Sequence, residues 1–593
     1  MTRGLPLLLL CICIFCSPSA VRAGGLPVTV DGDFADWGAA AAATADPAGD
    51  DGSSGIDFRN LWLAHDQDRL YLRFDTTVEV QPDEQQDIRL YLDTDMNAGT
   101  GYSIQGIGAD LVWELGGRSG TFYTPGSNNI DHPDIGLTIA PTVSSSQFEL
   151  SLARDAVPAS GKLLFPGSSF RMVLRDGTGG DVLPDAGSVS YTFDASAFPA
   201  ASLPLERQDT SHVRIATWNI QSDGLFDTNS GHQAALGRIF DAVDPDVWII
   251  CEVWNHSAEE VRQVVEGFLP SGGGEAWYAT KRDDGNVIVS RFPILMDWEV
   301  NPGYRITAAL LDLRPVQDTD LLLVANHWRC CTADGDRQNE ADSVVEFLKD
   351  AREPGGAFTV GPDTPFVLGG DFNLVGWRQQ LDTLVGGEIQ DNGTYGPDSP
   401  PDWDGSSLSY ALSRQPDARQ VYTWRNDYSS FYPGMLDYLF YTDSVYELAH
   451  GYVLETRTME PSTLAAYGLQ AGDTPDASDH APRVGDFALI TGTPSPPVLA
   501  RGARLLPNVP NPFNPRTELR FSLPQPGRVR LDVLDARGRH VATLLDAERP
   551  AGTQQVTWTG TDSAGRGVAS GVYRVRMAVD GKVVDGRAVT LVR

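Results

Sequence analysis

Pro365-Phe-Val-Leu-Gly-Gly-Asp-Phe-Asn-Leu-Val-Gly376 is the stretch on which the reading of this chain turns. A short apolar run ending in glycines suits a strand buried on both faces, and Gly369 and Gly370 let the backbone bend where it stops. Asp371 and Asn373 then stand together at a strand's carboxyl end. That pair suits phosphoester hydrolysis, because the acid can polarise water or hold a cation while the amide donates to a phosphoryl oxygen. The same residues read equally well as an Asx turn after a core strand, so other segments decide.

On either side, between 206 and 490, apolar runs alternate with helical spacing. Strands are expected at 213–219, 247–252, 287–290, 308–313, 321–326 and 366–368, and helices at 233–243, 258–268 and 339–351, which gives a layered α/β domain. Further polar residues fall at strand ends: Asn219, Glu252, His327 and, beyond them, the adjacent Asp479 and His480. Singly, each has a structural reading as a capping amide, a surface acid or a core histidine. Their joint pattern is what calls for a catalytic explanation.

Thr217-Trp-Asn219, Glu252, 285–293 (Gly-Asn-Val-Ile-Val-Ser-Arg-Phe-Pro), Asn326-His327, Gly370-Asp-Phe-Asn373, Leu436-Asp-Tyr-Leu439 and Ser478-Asp-His480 occur in this order. The segment that they span resembles the endonuclease/exonuclease/phosphatase superfamily, the DNase I-like fold. The resemblance implies a four-layer sandwich of two mixed sheets with the site at one rim. It also implies Asn219, Glu252 and Asp479 as metal ligands for Mg²⁺ or Mn²⁺, His480 as general base oriented by Asp437, Asp371 and Asn373 as positioners of water and phosphoryl group, and His327 as a second histidine on the phosphoryl oxygens or leaving group. A neutral imidazole takes a proton from water near neutral pH, and a carboxylate on its other nitrogen fixes the tautomer. Histidine at 327, and Gln221 where abasic-site endonucleases usually carry Asp, point to the secreted DNase, sphingomyelinase and phosphatase branches.

The segment 24–205 carries many short alternating runs between Gly/Asp/Ser turns, as in an antiparallel sandwich. Its opening Asp31-Gly-x-x-x-Asp-Trp37 resembles sugar-binding modules of the family 9 type, which implies an accessory module with a possible glycan ligand. Trp37, Trp62 and Trp113 read either as sugar-stacking surfaces or as core. Asp93, Asp95 and Asn97, spaced two apart before glycines, read either as a calcium loop or as a plain turn.

After a Thr/Pro/Ser linker at 491–502, the segment 503–593 reads as a small immunoglobulin-like sandwich. Asn511-Pro-Phe-Asn-Pro515 and Ala569-Ser-Gly-Val-Tyr573 resemble the FlgD-type domain used as a sorting tail on exported bacterial proteins, which implies export or sorting machinery as partner. The whole is therefore expected to be multidomain, a central α/β four-layer sandwich flanked by two all-β domains.

Arg3, the apolar run Leu5–Phe15 and Val21-Arg-Ala23 read as a secretory signal over 1–23, so the protein is expected to be secreted or attached to the cell surface, with no transmembrane segment. Three of six cysteines lie there; Cys251, Cys330 and Cys331 remain, with a bridge expected within Cys330-Cys331 or from one of them to Cys251. The net charge is -34, and the stretch 210–490 holds 43 acidic against 18 basic residues. Such a surface does not attract a polyanion unaided, so cations must neutralise a phosphate substrate. The carboxyl-terminal segment 503–593 is opposite, with 14 basic and 8 acidic residues. The reading is a secreted Mg²⁺-dependent phosphodiesterase or nuclease acting on extracellular nucleic acid or a phospholipid headgroup. Its alternatives are a sphingomyelinase-like or small-molecule phosphatase, and a non-catalytic surface adhesion protein that keeps the fold.

Overall fold

The computed structural model describes residues 25–490 and 503–592, apart from 50–54, 82–85, 197, 273–275, 354–358, 510–512, 524–525, 536–538, 551 and 580–581. The expected signal segment 1–23 and the expected linker 491–502 lie outside the described residues.

The central region folds as two six-stranded mixed sheets. The first contains β1 (Val213–Asn219), β2 (Val247–Cys251), β3 (Tyr278–Thr280), β4 (Val287–Ser290), β11 (Tyr446–Val453) and β12 (Arg483–Leu489), in the order β3-β4-β2-β1-β12-β11. The second contains β5 (Ile294–Glu299), β6 (Ile306–Asp312), β7 (Asp320–His327), β8 (Phe366–Asp371), β9 (Ser409–Tyr410) and β10 (Asp437–Tyr441), in the order β5-β6-β7-β8-β10-β9. Helices α1 (Ser230–Val243) and α2 (Ala258–Phe268) share a core with the outer face of the first sheet, and α3 (Asp334–Arg352) with that of the second. Between the sheets, Ile215, Ile249, Ile288, Leu323, Val367 and Leu439 pack with 0% exposure. β1, β2, β7 and β8 are buried along nearly their whole lengths, which is why they read as continuous apolar runs and not as alternation.

The glycines of the opening stretch have separate tasks. A Cβ on Gly369 would lie 2.5 Å from Ile249 Cδ1, so this glycine sets how closely the two sheets approach. Gly370 has φ +134°, and a Cβ there would lie 1.8 Å from the Asn326 carbonyl oxygen of the neighbouring strand.

The amino-terminal region is a β-sandwich of a five-stranded and a seven-stranded sheet, with Phe58, Leu72, Leu90, Trp113, Phe148 and Met172 buried between them. The Asp31–Trp37 motif is locked to its core by Glu149, which is fully buried. One carboxylate oxygen accepts the Asp31 and Gly32 amides, both at 2.7 Å, and the other accepts Trp37 Nε1 at 2.7 Å. Trp37 and Trp113 are therefore core residues with no face for a sugar, and the Arg73 guanidinium covers Trp62 at 4.3 Å. The region is all-β without further family assignment. The carboxyl-terminal region forms a three-stranded and a four-stranded sheet around Phe521, Leu531, Trp558 and Val575. Among the described residues no helix is long and apolar enough to cross a membrane.

Candidate active site

Strand pairing alone brings the acids and histidines together. His327 on β7 pairs with Asp371 on β8, and Asp371 pairs with Asp437 on β10, so three polar side chains line the ends of adjacent strands. Asn219 ends β1, which pairs with β2 immediately before Glu252. The lead-in to β12 adds Ser478, Asp479 and His480. One sheet thus supplies Asn219, Glu252, Asp479 and His480, and the other supplies His327, Asp371 and Asp437.

His480 Nδ1 lies 2.7 Å from Asp437 Oδ2, and His480 Nε2 faces Asp371 Oδ2 at 3.8 Å. Asp437 is fully buried and its Oδ1 has no hydrogen-bond partner among the described residues. Asn219 Nδ2 bridges two carboxylates, donating to Glu252 Oε1 at 3.1 Å and to Asp371 Oδ2 at 3.0 Å. His327 Nε2 faces the same two groups, at 3.8 Å from Glu252 Oε1 and 3.9 Å from Asp371 Oδ2. The Asn373 amide donates to Asp371 Oδ1 at 3.0 Å, and its Nδ2 donates to the Trp328 carbonyl at 3.1 Å. The Asx turn and the site are the same structure, so the two readings of this tripeptide do not compete. Glu252 (φ +63°) and Asn373 (φ +48°) both hold left-handed backbone, a strain that the surrounding packing maintains where a side chain must be aimed.

The electrostatics separate the two histidines. Burial pushes His327 well below the usual imidazole range, and the Arg305 charge adds to this, so it is a neutral ring. Burial also opposes charge on His480, but Asp437 in direct contact, Asp371 and Asp479 outweigh it and push the ring up to about 10. Burial raises Asp371 to about 7, with Asp437 adding and His480 opposing. Asp371 Oδ2 and His480 Nε2 face each other, so the charge state of each shifts that of the other. A small hard divalent cation suits the donor chemistry: Glu252 Oε1 and Asp371 Oδ2 converge on Asn219 Nδ2, which stands where two carboxylate oxygens would otherwise share a cation, while Asn219 Oδ1 accepts the Gln221 amide at 3.0 Å.

Several contributors were not singled out as site residues by the sequence. Trp424 Nε1 donates to Asp479 Oδ2 at 3.0 Å. The Thr423 hydroxyl accepts the Asp437 amide at 2.9 Å, and the Ser222 amide donates to Glu252 Oε2 at 2.7 Å. The Ser478 hydroxyl donates to the Asn219 carbonyl at 2.8 Å and accepts the His480 amide at 3.1 Å, which ties β1 to the histidine. Of the sequence-predicted calcium loop, Asp93 and Asp95 converge with Asp110, sixteen residues or so downstream, while Asn97 Oδ1 accepts the Gly99 amide at 3.0 Å. The expected disulfide is not formed. Cys251 is buried under the site with its thiol 3.5 Å from the Asn326 carbonyl, whereas Cys330 and Cys331 are exposed free thiols with sulfurs 2.7 Å apart.

Comparison with known proteins follows the same division of the chain. Residues 216–480 match the model of the Endonuclease/Exonuclease/phosphatase family, and residues 513–582 match the FlgD Ig-like domain. Curated proteins gave no match. Among solved structures, the chain is similar to an endonuclease/exonuclease/phosphatase from Beutenbergia cavernae DSM 12333, at 19% identity and TM-score 0.30 over 64% of this chain and 100% of that one. It is also similar to D. rerio TDP2 complexed with single strand DNA product, at 15% and 0.30 over 47% and 100%, and to a family protein from Bacteroides thetaiotaomicron, at 17% and 0.30 over 46% and 97%. The polar strand ends gathered at the shared rim of the two mixed sheets lie within residues 216–480, the stretch that matches the Endonuclease/Exonuclease/phosphatase family model.

Proposed function

We propose that this protein is an exported, divalent-metal-dependent phosphoester hydrolase, acting on a phosphodiester of extracellular nucleic acid or of a phospholipid headgroup. The observation that carries the reading is the Asp437–His480 contact at 2.7 Å with His480 Nε2 turned to Asp371, at a rim shared with Glu252 and Asn219. His480, its Nδ1 held by Asp437, accepts the proton of the attacking water through Nε2 in its neutral form, which a cation held by Glu252 and Asp479 would favour by offsetting the acids that raise the ring. Asp371, whose Oδ2 faces His480 Nε2 at 3.8 Å, orients that water. His327, neutral and with Nε2 facing the site, donates to the phosphoryl group or leaving oxygen, and Asn373, whose amide holds Asp371 Oδ1, helps to position the water and the phosphoryl group. Asn219, Glu252 and Asp479 would hold Mg²⁺ or Mn²⁺, which supplies positive charge against the phosphoryl oxygens. Export is supported by the composition of residues 1–23 and by the FlgD-like tail.

The test is hydrolysis by the full chain, with Mg²⁺ and then with EDTA, of plasmid DNA, RNA, sphingomyelin and a chromogenic phosphodiester. One of these is expected to be cut, EDTA to abolish cutting and added Mg²⁺ to restore it. His480→Ala is expected to lower turnover by about 10²–10⁴-fold while leaving the fold intact. Near-normal hydrolysis by that variant would sink the assignment. The acidic central domain favours small or single-stranded substrates over tight duplex binding.

A further inference from the structure

The amino-terminal sandwich grips both loops that flank the candidate site. The first loop follows Asn373. The Thr142 hydroxyl donates to the Leu374 carbonyl at 2.6 Å, Gln81 Nε2 to that of Val375 at 2.9 Å, and the Ser144 amide to that of Gly376 at 2.8 Å. The second spans 424–434 and is closed at its neck by reciprocal backbone bonds between Trp424 and Gly434, each 3.0 Å. The neck touches the site directly. Trp424 Nε1 holds Asp479 Oδ2, the Arg425 amide donates to the Asp479 carbonyl at 2.9 Å, and Trp424 is bridged to His480.

The far end of this loop leaves the central domain altogether. Tyr432 is buried among the core residues of the amino-terminal sandwich, 7% exposed. Its hydroxyl donates to the Leu115 carbonyl at 2.7 Å and accepts Trp113 Nε1 at 3.0 Å. Beside it, the Arg118 guanidinium sits 4.1 Å over the Phe431 ring and His132 Nε2 lies 3.1 Å from the Ser429 carbonyl. A loop closed only at its neck would sample many conformations. One whose aromatic side chain is seated in a rigid core two residues from that neck cannot.

We propose that Tyr432 is a positioning residue of the active site: anchored in the amino-terminal sandwich, it fixes the 424–434 neck and through it Asp479 and His480. The sandwich is then part of the catalytic unit and not a tethered accessory module. This rests on the phosphoesterase reading above, because the geometry being fixed is that of the hydrolytic histidine.

The experiment compares the full chain with Tyr432→Ala and Tyr432→Phe, measuring kcat and KM on the chromogenic phosphodiester and amide hydrogen exchange over 423–434 and 478–482. Tyr432→Ala is expected to lower kcat by about 30-fold or more with KM changed less than about threefold, since small displacements of a catalytic group cost rate before affinity. It is also expected to speed exchange at the Arg425 and Gly434 amides while the strands of the sandwich stay protected. Tyr432→Phe keeps the ring in its slot and is expected to recover most of kcat. Unchanged kcat in Tyr432→Ala overturns the proposal, as does faster exchange spread through the whole sandwich that Tyr432→Phe fails to rescue. If the wild-type chain cuts none of the probes, the phosphoesterase reading falls by itself. Exchange then decides whether Tyr432 holds the neck: faster exchange confined to it supports the anchor, and unchanged exchange refutes it.

Discussion

Asp437→Asn removes the charge that His480 leans on while keeping the shape of the site. His480 is carried from 6.5 up to about 10 against the opposition of burial, and at about 1.4 kcal/mol per tenfold in proton affinity this is roughly 5 kcal/mol of preference for the imidazolium. Asp437, 2.7 Å from Nδ1, and Asp371, 3.8 Å from Nε2, are the main sources. Losing the charge-assisted hydrogen bond to Asp437 costs about 1.5–3 kcal/mol, or about 10–10²-fold in kcat. The amide also has no good orientation. With Nδ2 towards the ring it imposes the wrong tautomer, and with Oδ1 towards the ring its Nδ2 takes the buried place where Asp437 Oδ1 has no partner. The sign of the pH effect follows from the same contact: Asp437 raises the affinity of His480 for its proton, so its neutralisation lowers that affinity. The acid limb of the pH–rate profile should therefore move to lower pH while the plateau falls. The assay is kcat on a chromogenic phosphodiester from pH 5 to 10 in the wild-type chain and the variant. A variant within about threefold of wild type, with its acid limb unmoved, would refute the dyad.

Two further substitutions test the scaffold. Gly370→Ala places a Cβ on a backbone with φ +134° and against the Asn326 carbonyl, and is expected to cost more than about 3 kcal/mol, read as a lowered urea midpoint for the central domain. Glu149→Gln offers one acceptor and one donor where the carboxylate accepts three N–H groups. A loss of about 2–3 kcal/mol is expected in the unfolding of the sandwich, and an unchanged midpoint would mean that the Asp31–Trp37 lock does not matter to stability.

Elements whose residues specify themselves locally were legible in the sequence. The helix at Ala258–Phe268 begins where Ser257 and Glu260 form a capping box, and the strands Val213–Asn219 and Val287–Ser290 coincide with their apolar runs. The candidate site was legible in part for the same reason, since each of its residues marks the end of a strand. What the sequence could not disclose depends on distant packing. Trp424 lies in a stretch without periodicity and reaches Asp479 only because the 424–434 loop folds back on itself. Asp110 completes the Asp93/Asp95 cluster from a bend between two later strands. Trp37 and Trp113 look alike in sequence whether they stack on a sugar or fill a core, and only the position of Glu149 and Tyr432 separates the two.

The seam between the sheets gives the protein a property that no single residue has. Half of the polar cluster rides on one sheet and half on the other, and Gly369 leaves the gap between them to be set by Ile249 and Leu439. The cluster therefore works as a caliper. A core substitution that thickens or thins this layer by a fraction of an ångström should register in turnover before it registers in melting temperature, so drift in the apolar interior is screened by function as well as by folding.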